Sequence, residues 1–168
     1  YLIDKRLLSN DLLSFGISSD WQFEKDWKHC STRDCKIVAF DGSIGAIKFL
    51  TTALASSFRL HKLNLVKRNW FVLYDYFRFL KRQTVFERQF IAREVIDKRH
   101  ETFSNVLRNY GLEHPVFLKM DIEGSEYDLL DVILEHQKLI AGIAIEFHYP
   151  LTNIKSITDF VTGLDLNI

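Results

Sequence analysis

Short apolar runs alternate with longer amphipathic stretches along this chain, and the pattern reads as strand, helix, strand, helix. The first run, Asp11 to Phe15, ends at Gly16 and fits a buried strand. Ser19 follows as a helix cap with Gln22 three residues on, and Phe23 and Trp27 recur at helical spacing. A second buried strand, Lys36 to Phe40, stops at Asp41-Gly42. Ser43 can cap the next helix, where Ile47, Leu50 and Leu54 form an apolar face. Leu60 to Val66 is expected as a third strand. Residues 67–99 read as an insertion, aromatic-rich and partly alternating from Trp70 to Phe79, then helical from Gln89 to Lys98.

The second half is patterned more sharply. Thr102 to Tyr110 is a predicted helix, stopped by Gly111. Val116 to Met120 is a buried strand, and Asp121 to Gly124 is a loop. Ser125 caps a helix bearing Tyr127, Leu130, Ile133 and Leu134. Gly142 to Phe147 is a further strand, and Asn153 to Thr162 a helix that ends at Gly163. Leu164 onward is expected to open one more strand, which these residues do not complete.

Apolar strands separated by helices imply an α/β fold whose parallel sheet is covered on both faces. Right-handed crossovers then bring the C-terminal ends of all strands to one edge. Ligands of such sheets bind at that edge, so the residues just after each strand are the candidates for chemistry.

Size and composition narrow the picture. The 168 residues suffice for one domain with a real core. No run approaches the roughly 20 apolar residues of a membrane span. Cys30 and Cys35 lack C-x-x-C spacing and a histidine cluster, so no metal site is expected from them. They are expected as two thiols in a cytoplasmic chain, with a disulfide between them as the alternative. The net charge is zero, yet residues 59–99 hold eleven basic and four acidic side chains, and residues 100–168 hold four and eleven. The basic stretch is interleaved with aromatics such as Trp70, Phe71 and Tyr74. It is expected as a solvated insertion with a small core of its own. Contact with a phosphorylated acceptor or a membrane surface is the alternative, and no nucleic-acid partner is expected.

Four strand tips carry candidate chemistry. After the first strand, Gly16 permits a tight turn, and Ser18 and Asp20 precede a helix N-terminus with free N–H groups. After the second, Asp41 can accept hydrogen bonds from both ribose hydroxyls, or simply cap a helix. After the fourth, Asp121, Glu123 and Glu126 place three carboxylates in six residues. A helix N-terminus accounts for Glu126 but leaves Asp121 and Glu123 without a structural reason. After the fifth, His148 can act as a general base near neutral pH, or serve structure alone. A metal held by Asp121, Glu123 and His148 is conceivable, but their spacing alone commits to none.

The run Lys119-Met120-Asp121-Ile122-Glu123-Gly124-Ser125-Glu126-Tyr127, followed by Leu130, resembles the K-x-D-x-E-G-x-E signature of FkbM-like methyltransferases. Ala144 to His148 resembles that family's next strand. Ser14-Phe15-Gly16-Ile17 with Asp20 and Phe23-Glu24 is similar to the first motif of one branch, and Phe40-Asp41 to the second motif. Ser18 and Ser19 stand where glycines often do. The resemblance implies a Rossmann-like class I methyltransferase, a three-layer sandwich on a mostly parallel sheet. The C-terminal strand pair of that fold is expected to be missing from these residues. It further implies S-adenosylmethionine as cofactor, held by Gly16, Ser18, Asp20 and Asp41. The acceptor would be a hydroxyl of a sugar, glycan or natural product. Asp121, Glu123 and His148 would be the catalytic residues, any one of which could take the proton. A non-catalytic nucleotide-binding module and a nicotinamide-dependent oxidoreductase are the competing readings.

Overall fold

A computed structural model describes residues 3–58, 62–113 and 115–165. Five strands form one parallel sheet: β1 (Leu12–Phe15), β2 (Ile37–Phe40), β3 (Val85–Glu87), β6 (Val116–Met120) and β7 (Ile140–Ile145). Their order across the sheet is β3-β2-β1-β6-β7, with every neighbouring pair parallel. The order reverses direction at β1, so the crevice between the β1 and β2 tips and the β6 tip is a topological switch point. A second, two-stranded parallel sheet joins β4 (Phe90–Ala92) to β5 (His100–Thr102).

Alternation along each strand divides the core into two halves. On one face Leu13, Phe15, Val38 and Phe40 pack against α5 (Phe103–Asn109), α6 (Leu130–Glu135) and α7 (Ile154–Gly163). On the other, Leu12, Ile37, Ala39 and Phe117 pack against α1 (Gln22–Cys30), α2 (Ala46–Ser57) and α3 (Leu63–Asp75). Aromatic rings fill much of this second face, with Trp27 and Phe117 at 4.5 Å between centroids. At the N-terminal edge of the sheet, Asp11 is buried and accepts from the Lys36 and Glu113 amides at 2.9 and 2.8 Å. The guanidinium of Arg33 donates to the same carboxylate at 3.1 Å. This clamp lies at the opposite end of the strands from Gly16 and Asp41.

Several elements differ from the sequence-based expectation. Of the strand expected over Leu60 to Val66, Leu60 lies outside the described residues, and Leu63 to Val66 open α3. The third strand is Val85–Glu87 instead. α3 runs directly into a π-helical turn, Tyr76–Leu80, and then α4 (Lys81–Gln83). Packing decided this: Leu73, Tyr76, Phe79 and Leu80 reach the core together, a helical rather than an alternating set. The segment 67–99 therefore supplies β3 and a share of the main core. Gln89 to Lys98 is not helical but opens with β4.

On α2, Ile47, Leu50 and Leu54 are exposed, while Phe49, Ala53 and Ser56 face inward. Ser19, Ser43 and Ser125 do not cap their helices. Trp21 and Gly45 occupy the N-cap positions of α1 and α2, and Gly124 that of a 3-10 turn over Ser125–Leu129. The helix expected over Thr102 to Tyr110 is α5, and Thr102 is its N-cap, accepting from the Asn105 amide. Cys30 is exposed, Cys35 buried, and both are free thiols. Leu164 and Asp165 form no strand, and Leu166, Asn167 and Ile168 lie outside the described residues.

Candidate functional site

Gly16 joins the tips of β1, β2 and β6. Its φ is +70°, and a Cβ there would lie 1.6 Å from the Asp121 carbonyl oxygen. No side chain fits against that backbone. The Gly16 amide donates to Phe40 O at 2.9 Å, and the Asp121 amide donates to Phe15 O at 3.0 Å. Lys119 Nζ donates to Gly16 O at 2.8 Å. The turn is thus tied to both neighbouring strands before any side chain acts on a ligand.

Asp41 joins the next pair of loops. One carboxylate oxygen accepts from the Ser18 amide at 2.7 Å. The other accepts from the Ser43 amide at 2.7 Å and the Ser43 hydroxyl at 2.6 Å. Ser18 holds a left-handed backbone, φ +48°, which turns its amide onto that carboxylate. Asp20 takes no part. Its side chain is exposed at the start of α1, where it accepts from the Gln22 amide at 3.0 Å.

A cavity of about 910 Å³ opens at this edge. Gly16, Ser18, Asp41 and Ser43 line one side, Asp121 and Glu123 the other, and Phe90 and Ile91 of β4 contribute a wall. Phe90 packs on Gly42 so closely that a Cβ there would stand 2.3 Å from the ring. A side chain after Asp41 would have to displace the Phe90 ring.

At the far end of this edge, His148 meets the acidic loop. Its Nε2 lies 3.8 Å from Asp121 Oδ1 and 3.5 Å from Glu123 Oε2. The three side chains offer one ligand atom each, all within 4.8 Å of one another, so they could also hold a divalent cation. His148 is not itself a lining residue of the cavity but stands against the two that are. Glu126 holds it there. This fully buried carboxylate accepts from the His148 amide at 2.6 Å, lies 3.2 Å from His148 Nδ1, and accepts from the Gly124 amide at 2.7 Å. Tyr127 closes the loop, its hydroxyl donating to His148 O at 2.5 Å.

The sequence reading assigned Glu126 to a helix N-terminus and did not anticipate its contacts with His148. The signal in the sequence was its place as the last acid of the run Lys119 to Tyr127. A second buried acid, Glu24, lies behind the site. Ser14 Oγ donates to its Oε1 at 2.5 Å, and its Oε2 has no hydrogen-bond partner among the described residues. Burial pushes the Glu24 carboxyl up, against the opposing pull of the Ser14 hydrogen bond and the Lys119 charge.

A parallel sheet that reverses order at β1, with its cavity at the carboxyl edge, defines a Rossmann-like α/β protein. The family model for the methyltransferase FkbM domain matches residues 66–165. That is more than half of the chain, and the chain belongs to this family: it is a methyltransferase. Comparison with curated proteins and with solved structures yields no match. No helix among the described residues is long and apolar enough to cross a membrane.

Proposed function

We propose that this chain transfers a methyl group from S-adenosylmethionine to a hydroxyl of a sugar, glycan or natural product. The observation that carries the reading is the convergence of Gly16, Asp41 and Asp121 on one cavity, with His148 beside its acidic end. The residues fit the cofactor. A carboxylate offers about four acceptor positions, and three of those on Asp41 are taken. The Ser43 hydroxyl is a free rotor and can turn away, so that Asp41 meets both ribose hydroxyls. The NAD reading shares that logic, but it lacks the G-x-G-x-x-G turn.

Bound there, the cofactor supplies an electrophilic methyl group. The chain's own work is then to hold an acceptor oxygen in line and to take its proton. His148 takes the proton at Nε2. Glu126 fixes the ring through Nδ1, so that Nε2 faces Asp121 and Glu123, and its negative charge stabilises the imidazolium that forms. Asp121 and Glu123 orient the hydroxyl. Release of S-adenosylhomocysteine in the presence of hydroxylated acceptors tests the reading, with His148→Gln as the control. Turnover that survives that substitution undiminished removes His148 from the reaction.

One observation favours a second reading of the acidic end. The separations of 3.5 and 3.8 Å at Nε2 are too long for good hydrogen bonds. They suit ligand atoms around a shared divalent cation, which would activate the hydroxyl in place of a base.

A further inference from the structure

The helical hairpin α2–α3 exposes apolar side chains that no described element covers. On α2 and its C-cap, Ile47, Leu50, Leu54 and Phe58 recur at i, i+3, i+7 and i+11, and Ile47 and Phe58 are 75% and 88% exposed. On the helix that begins with α3, Leu63, Trp70, Tyr74 and Phe77 recur at similar spacing and are also exposed. The two stripes meet where Trp70 Nε1 donates to Ser57 Oγ at 3.0 Å. They form one band across both helices rather than scattered residues, which a soluble surface rarely shows.

The band is bordered by charge of one sign. Lys62, Lys67, Arg68, Arg78 and Arg82 are exposed, and none pairs with a described carboxylate within 4.0 Å. Between Gly42 and Phe86 the sequence contains a single acidic residue, Asp75. That residue is buried and committed to Lys25 and to Trp21, whose Nε1 donates to it at 2.8 Å. The surface therefore combines exposed aromatics and aliphatics with unopposed cations, the composition of helices that lie in the plane of an anionic bilayer.

We propose that the α2–α3 face docks on the surface of an anionic lipid bilayer. Nucleic acid would use the cations and the rings as stacking platforms, but it has no use for Ile47, Leu50, Leu54 and Leu63. In the bilayer, those side chains enter the headgroup boundary while the lysines and arginines meet lipid phosphates. The docking is independent of the methyl-transfer reading and needs no occupied cavity.

Tryptophan fluorescence tests this without a variant. Trp21 and Trp27 are 3% and 2% exposed, whereas Trp70 is 42% exposed. Vesicles of phosphatidylcholine mixed with phosphatidylglycerol, carrying brominated acyl chains, are expected to bind the chain and quench Trp70. Pure phosphatidylcholine vesicles are expected to do neither. Trp70→Phe should retain binding and lose the quenching. Lys67→Glu/Arg68→Glu/Arg78→Glu should bind at least on the order of a hundredfold more weakly, about fivefold for each basic residue removed from the surface. Failure to bind anionic vesicles, equal binding to neutral ones, or binding without quenching would each overturn the proposal. So would release from the vesicles by a tighter-binding RNA oligonucleotide, which would assign the face to nucleic acid.

Discussion

Glu126 grips His148 twice: one carboxylate oxygen accepts the His148 amide at 2.6 Å and also lies 3.2 Å from Nδ1 of the ring. The pair joins the tip of β6 to the tip of β7. It sets which nitrogen faces the cavity and which faces the core.

Two substitutions separate these roles. His148→Gln removes the proton acceptor and should lower kcat by about 10²–10⁴-fold, the usual share of a general base. Glu126→Gln keeps the backbone hydrogen bond but loses the charge behind the ring. It is expected to lower kcat less than His148→Gln does, with KM for the acceptor nearly unchanged. A rise in KM alongside the fall in kcat in Glu126→Gln would mean that the loop itself had moved.

The acidic end yields a chelation test. With His148 as the base, turnover should be unaffected by EDTA. Loss of activity that manganese restores, together with manganese binding abolished in Asp121→Asn, would favour the cation reading.

Glu24 makes stability depend on pH. Its carboxyl is raised above the ordinary value of 4.5, chiefly by burial. Its contribution is then fully present below that value and is lost as pH rises through the raised one. Glu24→Gln should therefore be relatively more stable than the unaltered chain as pH rises above 4.5, with the difference disappearing in acid. Thermal melts across pH check this, and parallel pH profiles for the two chains would contradict it.

Gly16 is predicted to tolerate no side chain. Gly16→Ala combines a left-handed backbone with overlap onto the Asp121 carbonyl. The backbone strain alone costs about 1–3 kcal/mol, and displacing β6 adds to it. Urea unfolding should show that loss. A stable Gly16→Ala chain would show that the β1 tip sits farther from β6.

The strands of the core were legible because their apolar runs are short, bounded and buried on both faces. Leu12–Phe15, Ile37–Phe40 and Val116–Met120 fall within a residue or so of their expected bounds. The Asp121 loop was legible because its carboxylates had no structural explanation. The middle of the chain was not. Tyr74 and Tyr76 alternate with Asp75 and Phe77 much as a strand would, and only the depth of Leu73, Tyr76 and Leu80 reveals a helix. On α2, exposed Leu50 and Leu54 imitate a core face, because that helix carries apolar residues on two sides. Glu126 was hidden for another reason. Its role depends on His148, twenty-two residues away, and only the adjacency of β6 and β7 brings them together.

The central claim is that the cavity between Gly16, Asp41 and Asp121 holds S-adenosylmethionine. Calorimetric titration with S-adenosylmethionine, S-adenosylhomocysteine and NAD tests it most directly. The unaltered chain should bind the first two and not NAD. Asp41→Ala should weaken binding by at least about 10–100-fold, since the hydrogen bonds to both ribose hydroxyls are lost and each charged one is worth that much, while its thermal melt stays cooperative. Absence of heat with both sulfur compounds, or equal affinity in a folded Asp41→Ala chain, would contradict the account.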